Sequence, residues 1–117
     1  MKIAGEFWLY LERLLASHPV VIDRPKDSHH PRYPEIVYPL DYGYLEGTTT
    51  VDGGGVDLWL GSLPARSLSG VVLTVDLVKS DAEIKLLLGC TPTEMQQVLD
   101  FHNQGEMRAI FIPAEYN

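Results

Sequence analysis

The chain has 117 residues, of which 45% are hydrophobic, and this length predicts one domain, 1–117, with a single core. Its formal net charge of −7, with no cluster of lysine or arginine, argues against nucleic acid and favours a divalent cation as partner. No apolar run approaches the roughly 18 residues of a membrane helix. We therefore expect no membrane as a partner. A lone cysteine, Cys90, cannot form an internal disulfide, so we expect a reduced, cytoplasmic protein.

The first third of the chain predicts one helix, one short strand and then a proline-rich loop. One phenylalanine and three leucines recur at helical spacing and predict a helix over residues 4–17, which Pro19 ends. The β-branched run 20–22 is typical of a strand. Four prolines between residues 23 and 39 exclude a helix there.

The remainder of the chain predicts several strands and one late helix. Thr91 is the expected N-cap of a helix that runs to about Asn103, because Pro92 follows it and Glu94 lies three residues after it. The order of elements indicates an α+β, mainly β protein, a small barrel flanked by helices rather than a parallel α/β sheet. The expected strands are 56–60, 70–79, 82–88 and 109–112.

The segment from Asp52 to Asp57 is the first candidate for a metal site. A triple glycine between two aspartates allows the turn to bring both carboxylates toward one ion, since glycine adopts positive φ without steric cost. Mg²⁺ prefers such oxygen ligands. The alternative for this segment taken alone is a hairpin turn with solvated aspartates.

Two further segments carry polar side chains at strand spacing. If 82–88 is a strand, Asp81, Glu83 and Lys85 share one face, and the alternative is a charge-balanced solvent face. Earlier in the chain, Tyr42 and Tyr44 would share a strand face and could donate to a phosphate oxygen. Their alternative is aromatic packing.

Together these segments resemble the soluble (family I) inorganic pyrophosphatases, with this chain as a shortened and divergent member. The resemblance is carried by Tyr-Pro-Leu-Asp-Tyr-Gly-Tyr at 38–44 and by the glycine-rich turn that follows it. Asp52 and Asp57 match the outer two of three signature aspartates in that family. Asp76 and Asp81 match a further pair at the family spacing.

The resemblance implies a fold, a reaction and a set of site residues. The implied fold is a closed five-stranded barrel of the OB type with an N-terminal and a late flanking helix. The implied reaction is hydrolysis of pyrophosphate, or of a related phosphoanhydride, by a water activated by Mg²⁺, with Mn²⁺ as an alternative ion. Assembly into a homo-oligomer is also compatible with the resemblance. The implied catalytic residues are Asp52, Asp57 and Tyr42; the substrate would contact Arg32, Tyr42, Lys85 and His102; the metal ligands would be Asp52, Asp57, Asp76, Asp81 and Asp23.

Three departures from the family pattern leave other functions open. Gly54 stands where the family has the middle aspartate, the expected base for the attacking water, and glycine cannot accept a proton. Glu83 and Asn103 stand where the family has lysines. The first alternative is therefore a catalytically weakened module that binds metal or phosphate on the same scaffold. The second is an interaction domain whose aspartates bind nothing.

Overall fold

A computed structural model describes residues 2–116 of the chain, which form two helices and six strands. The helices are α1 (Lys2–Ser17) and α2 (Pro92–His102). None of the helices within residues 2–116 is long and apolar enough to cross a membrane. The strands are β1 (Val20–Arg24), β2 (Asp41–Leu45), β3 (Asp57–Leu60), β4 (Leu68–Asp76), β5 (Asp81–Leu88) and β6 (Met107–Pro113).

The strands form one mixed sheet in the order β1-β2-β3-β5-β4-β6. All neighbours are antiparallel except β3 and β5, which run parallel with Leu58 beside Leu86 and Leu60 beside Leu88. Strands β4 and β5 form a hairpin in which Asp76 lies opposite Asp81. The parallel pairing brings the start of β3 next to the first half of β5, and this juxtaposition positions the candidate site.

Both faces of the sheet are buried at the end where the strands are most apolar. Successive residues alternate between the faces, so Leu58 and Leu86 pack on the α1 side while Trp59 and Leu87 pack on the α2 side. Helix α1 covers the first face through Trp8. The α1 core contains Trp8, Leu45, Leu58, Leu60, Leu68, Val71, Leu86 and Leu88, and the α2 core contains Tyr38, Leu40, Trp59, Val72, Leu87, Cys90 and Val98.

Helix α2 begins with the capping box that the sequence predicts. The Thr91 hydroxyl accepts from the Glu94 backbone N–H at 3.2 Å, and the Glu94 carboxylate accepts from the Thr91 N–H at 2.9 Å. The same carboxylate accepts from the Ser62 N–H at 3.1 Å and so ties the helix start to the loop after β3. This second contact adds to the packing of Val98 in holding α2 against the sheet.

The structure confirms the mainly β, α+β class with an N-terminal and a late helix, and it corrects two details. The sheet has six strands among residues 2–116 instead of five, and it is open, with β1 and β6 as its edges, instead of closed into a barrel. The proline-rich stretch 23–39 contains no helix, as expected, although β1 extends into it as far as Arg24. Closure depends on pairing between strands distant in sequence, which local patterns do not encode.

Gly43 makes the contact between β1 and β2 possible, because a Cβ there would clash with the backbone carbonyl of Val21. We expect Gly43→Ala to lower the free energy of unfolding by about 2–3 kcal/mol, measured by urea denaturation, since backbone must move to relieve the clash. Gly54→Ala is the control, because its Cβ would meet only Asp52 Oδ1, at 3.3 Å, in an exposed turn. Equal urea midpoints for the two variants would contradict this account.

Candidate active site

The candidate site is the polar end of the sheet face that α2 covers. Along β5 this face changes from buried Leu87 through Lys85 and Glu83 to Asp81 at the start of the strand. Because side chains alternate along a strand, all four point to the same side of the sheet. Along this face of β5, the apolar core under α2 therefore gives way to three charged side chains in succession.

Lys85 is the centre of this site and is 6% exposed. Its Nζ donates to Tyr42 Oη at 2.9 Å, to Asp57 Oδ2 at 3.1 Å and to Glu83 Oε2 at 2.9 Å. The acceptors come from β2, β3 and β5. An ammonium has three donors, so all of its hydrogen-bonding capacity is used within the protein.

The electrostatics of this cluster keep Lys85 charged and Tyr42 neutral at neutral pH. Burial opposes the charge on Lys85, but the attraction of the Asp57 carboxylate and the hydrogen bonds to Tyr42 and Glu83 outweigh it, so the pKa of Lys85 is raised. Burial is also the largest effect on Tyr42 and raises the pKa of its phenol, although the Lys85 charge acts in the opposite direction. Tyr42 therefore keeps its proton and can donate it.

His102, at the end of α2, is a buried neutral group beside this cluster. Its Nε2 accepts from Trp59 Nε1 at 3.1 Å, and its Nδ1 lies 3.3 Å from Met107 Sδ. Burial, and secondly the positive charge of Lys85, lower the pKa of His102 to about 3. His102 thus supplies no positive charge for a phosphate at neutral pH, although its ring contributes to a cavity wall.

Two cavities meet at β5. The first, of about 590 Å³, lies between the sheet and the loop 30–38; Tyr42, Asp76 and Lys85 contribute to it. The second, of about 720 Å³, lies between β3, β5 and the glycine-rich turn; Asp52 and Asp57 contribute to it. Both cavities are lined by Asp81 and Glu83. These two side chains therefore form the shared wall.

The four residues between Asp76 and Asp81 form a hairpin turn. The two aspartates are cross-strand partners, and Asp76 Oδ1 accepts from the backbone N–H groups of Val78 and Lys79 at 2.9 and 3.2 Å. Like charges directly opposite each other destabilise a hairpin. The Asp76 carboxylate offsets part of this repulsion by capping the turn, and a bound cation would offset more.

Asp52 belongs to an exposed turn held by its own hydrogen bonds. Its Oδ1 accepts from the Thr50 hydroxyl and from the Gly54 N–H, and these two contacts, that of Thr50 first, lower the pKa of Asp52. The carboxylate lines the second cavity but is engaged within the turn. The structure thus places Asp52 near Asp57 without placing the two carboxylates around one point.

The two remaining predicted residues lie outside the cavities. Asp23 is exposed on β1 and lines neither of them. Arg32 is exposed in the loop, with its guanidinium 5.7 Å from the ring centre of Tyr33. Tyr33 lines the first cavity, so Arg32 lies one residue from its wall.

The donor types of the site fit a hard divalent cation. Asp52, Asp57 and Asp81 all line the second cavity, and carboxylate oxygens are the ligands that Mg²⁺ prefers. Within residues 2–116, however, no three histidine, cysteine, aspartate or glutamate side chains stand close enough to hold a metal ion. The ligands are therefore of the right kind, and closing them around an ion requires the exposed turn to move.

The sequence pattern predicts the row of Asp81, Glu83 and Lys85 but not their partners. The contact between Lys85 and Asp57 depends on the parallel register of β3 and β5, which brings residue 57 beside residue 85. The contributions of His30 and Phe101 to the first cavity were also missed, because the loop and α2 approach the sheet from distant parts of the chain. No local signal marks these two residues.

No family model matches the sequence, and a comparison with curated protein sequences gave no match. Solved structures do match. The chain is similar to an inorganic pyrophosphatase from Neisseria gonorrhoeae, with a TM-score of 0.64, 18% identity and 81% of each chain covered. It is also similar to an inorganic pyrophosphatase from Coxiella burnetii, with a TM-score of 0.57 and 13% identity over 82% of this chain and 83% of the other. A third, from Helicobacter pylori, has a TM-score of 0.55 and 18% identity over 80% and 81%.

These matches confirm the fold that the motif at 38–44 suggested. The chain has the fold of the inorganic pyrophosphatases, at identities that carry information about the fold alone. What the neighbours' names say of their activity is a basis for a proposal about this chain.

The neutral state of His102 predicts how stability depends on pH. The unfolded histidine binds a proton below its ordinary pKa of 6.5 while the folded one does not until about 3, so stability falls as pH decreases through this window. Between pH 7 and 5 this amounts to about 2 kcal/mol. We expect His102→Gln, which keeps an acceptor for Trp59, to lose less stability over that range in urea titrations. An identical pH dependence in the variant would show that folding does not lower the pKa of His102.

Proposed function

We propose that the chain is a metal-dependent hydrolase of inorganic pyrophosphate or of a related phosphoanhydride, acting where the two cavities meet. The observation that carries the proposal is the common wall of Asp81 and Glu83, with Asp57 beside it, on a fold that the chain shares with inorganic pyrophosphatases. Carboxylates from two strands converge there on a space open to small molecules.

The charge of the first cavity favours binding of a cation together with the phosphate substrate. Two lysines, Lys79 and Lys85, face four carboxylates, and Lys85 is already paired, so a bare phosphate anion would be repelled. A divalent cation reverses the sign of the local field. The carboxylates are Glu35, Asp76, Asp81 and Glu83.

The proposed metal ligands follow from the positions of the side chains. Asp57 and Asp81 would hold a Mg²⁺ ion, or Mn²⁺ in its place, with Asp52 joining through movement of its turn and Asp76 helping to hold a further ion. Bound there, the ion would neutralise phosphate charge and lower the pKa of a water. We do not include Asp23 in this set, because it lines neither cavity.

Two side chains of the chain itself are suited to orient the substrate. Tyr42 accepts from Lys85 and keeps its phenolic proton, which it can donate to a phosphate oxygen. Lys79 is exposed at the hairpin and lines the first cavity, so its ammonium can meet the leaving phosphate. Lys85 holds Tyr42 and Asp57 in place instead of reaching outward.

Aromatic side chains also line the first cavity. His30 lies near Tyr33 and Tyr38, and Phe101 packs on Tyr38 with ring centres 5.4 Å apart. Pyrophosphate has no apolar surface to contact these rings, whereas a nucleotide base stacks on them. A phosphoanhydride that carries an aromatic base is therefore the related substrate class to be assayed.

A second candidate function is a module that binds metal or phosphate with weakened catalysis. It is favoured by Gly54, which offers no group to deprotonate a water, and by Lys85, whose ion pairs occupy Asp57 and Glu83. A protein of this kind would be stabilised by Mg²⁺ and phosphate while releasing no product.

The first test is phosphate release from pyrophosphate, and from a nucleoside diphosphate, in millimolar Mg²⁺. We expect Asp57→Asn to lower the rate about 10-fold or more, since the change weakens a proposed metal ligand and the Lys85 ion pair together. Asp23→Asn is the matched control, because Asp23 is exposed outside both cavities. Release by neither the parent protein nor the variants would leave the binding module as the function.

Restoring an aspartate at position 54 distinguishes the two candidates. Gly54 is not in the positive-φ region, and a Cβ there meets only Asp52 Oδ1 at 3.3 Å, so the turn accommodates Gly54→Asp. If the rest of the site is competent, we expect phosphate release to rise by about 10²–10⁴-fold, the usual contribution of a general base. Gly54→Asn is the control, having the same shape without the basic carboxylate. Equal rates for the two variants would argue against a missing base.

A further inference from the structure

We propose that Lys85 is a tethered cation that occupies, between Asp57 and Glu83, the place of a metal ion in the acidic site. The inference deepens the proposed function, on which it rests, because it concerns how many cations the same carboxylates can hold. It is carried by the three contacts of the Lys85 ammonium, with Tyr42, Asp57 and Glu83, at 2.9, 3.1 and 2.9 Å.

The arrangement around Lys85 is that of a small ion in an oxygen cage. Three oxygens on three different strands converge on one Nζ, which has no further proton to donate. A lysine that merely crossed the surface would leave its ammonium in water, as these side chains usually do. Here the whole residue is 6% exposed, and its charge is met by the protein alone.

The partners of Lys85 remain accessible to a competing ion. The side chains of Asp57 and Glu83 are 34% and 29% exposed to solvent, and both line the second cavity. An ion could therefore reach them from the cavity if the ammonium were absent. Exposure of this extent also means that solvent screens part of the attraction to Lys85.

Lys85 has two physical advantages over Mg²⁺ at this position. Its charge is covalently attached, so it fills the cage without the entropic cost of binding from solution. Mg²⁺ must also shed strongly held waters to approach an oxygen at about 2.0–2.1 Å. An ion placed between Asp57 and Glu83 would need the oxygens that Lys85 holds, Oδ2 of Asp57 and Oε2 of Glu83, and would be repelled by the ammonium. The second oxygen of Asp57 stays available to an ion that lies on the side of Asp81.

Asp76 and Asp81 are carboxylates of the first cavity that accept no hydrogen bond from Lys85. They face each other across the hairpin, and neither forms an ion pair within residues 2–116. The parent protein should accordingly bind fewer divalent ions, and bind them more weakly, than its count of acidic groups indicates.

The test compares Mn²⁺ binding by Lys85→Met with binding by Lys79→Met, using calorimetry and thermal stability without substrate. Both variants lose one positive charge, and both lysines line the first cavity, but Lys79 is exposed and forms no ion pair in the described part of the chain. We expect Lys85→Met to bind Mn²⁺ at least about tenfold more tightly than the parent, and Lys79→Met to gain much less. Equal gains would overturn the proposal, because they would reflect net charge alone.

Further variants keep the result decisive. Lys85→Arg retains the charge and should keep the parent's weak binding, whereas Asp57→Asn in the Lys85→Met background should remove the gained affinity. If Lys85→Met is unfolded in chelator, millimolar Mn²⁺ should restore its folding, because the ion then replaces the ammonium. Failure to refold in Mn²⁺, for Lys85→Met and for the milder Lys85→Gln, would overturn the proposal.

These readouts separate the inference from the proposed function. Metal binding and stability are measured without turnover, so a protein that releases no phosphate can still show the gain in Lys85→Met. Conversely, an active enzyme with unchanged Mn²⁺ affinity in Lys85→Met would retain the proposed function and refute the role of Lys85.

Discussion

The buried ammonium of Lys85 is the constraint on which the arrangement of this site depends. A charge removed from water is stable only if hydrogen-bond acceptors replace the solvent, and here they come from β2, β3 and β5. Those three strands lie side by side in the sheet, β3 between the others. Lys85 thus contacts Tyr42, Asp57 and Glu83, of which Tyr42 lies 43 residues away in sequence. The register of the sheet therefore determines the geometry of the site.

The position of this charge explains why the core and the site share one face of the sheet. Helix α2 buries Trp59 and Leu87 on that face, and His102 closes the helix's end beside Lys85. A histidine held neutral by burial is compatible with an adjacent ammonium, whereas a protonated one would repel it. The indole N–H of Trp59 donates to Nε2 of His102. Both of these buried nitrogens therefore have a hydrogen-bond partner where the apolar core meets the polar site.

Local signals predicted most of the elements, and non-local pairing accounts for what they missed. The helical spacing of residues 4–17 and the capping box at Thr91 depend on neighbours within four residues, and both elements are present. The row from Asp81 to Lys85 followed from strand periodicity alone. The open six-stranded sheet and the approach of Asp57 to Lys85 depend instead on β3 pairing with β5, and no single segment carries that information.

The same non-local contacts determine how the acidic charge of the site is distributed. One ammonium neutralises parts of two carboxylates, Asp57 and Glu83, and leaves the cross-strand pair Asp76 and Asp81 at the hairpin. Like charges facing each other in a strand pair destabilise it, so this hairpin gains stability from any cation that bridges the pair. If the proposed function holds, a row of carboxylates that Lys85 partly neutralises would bind a dissolved cation more weakly than the same row without the lysine.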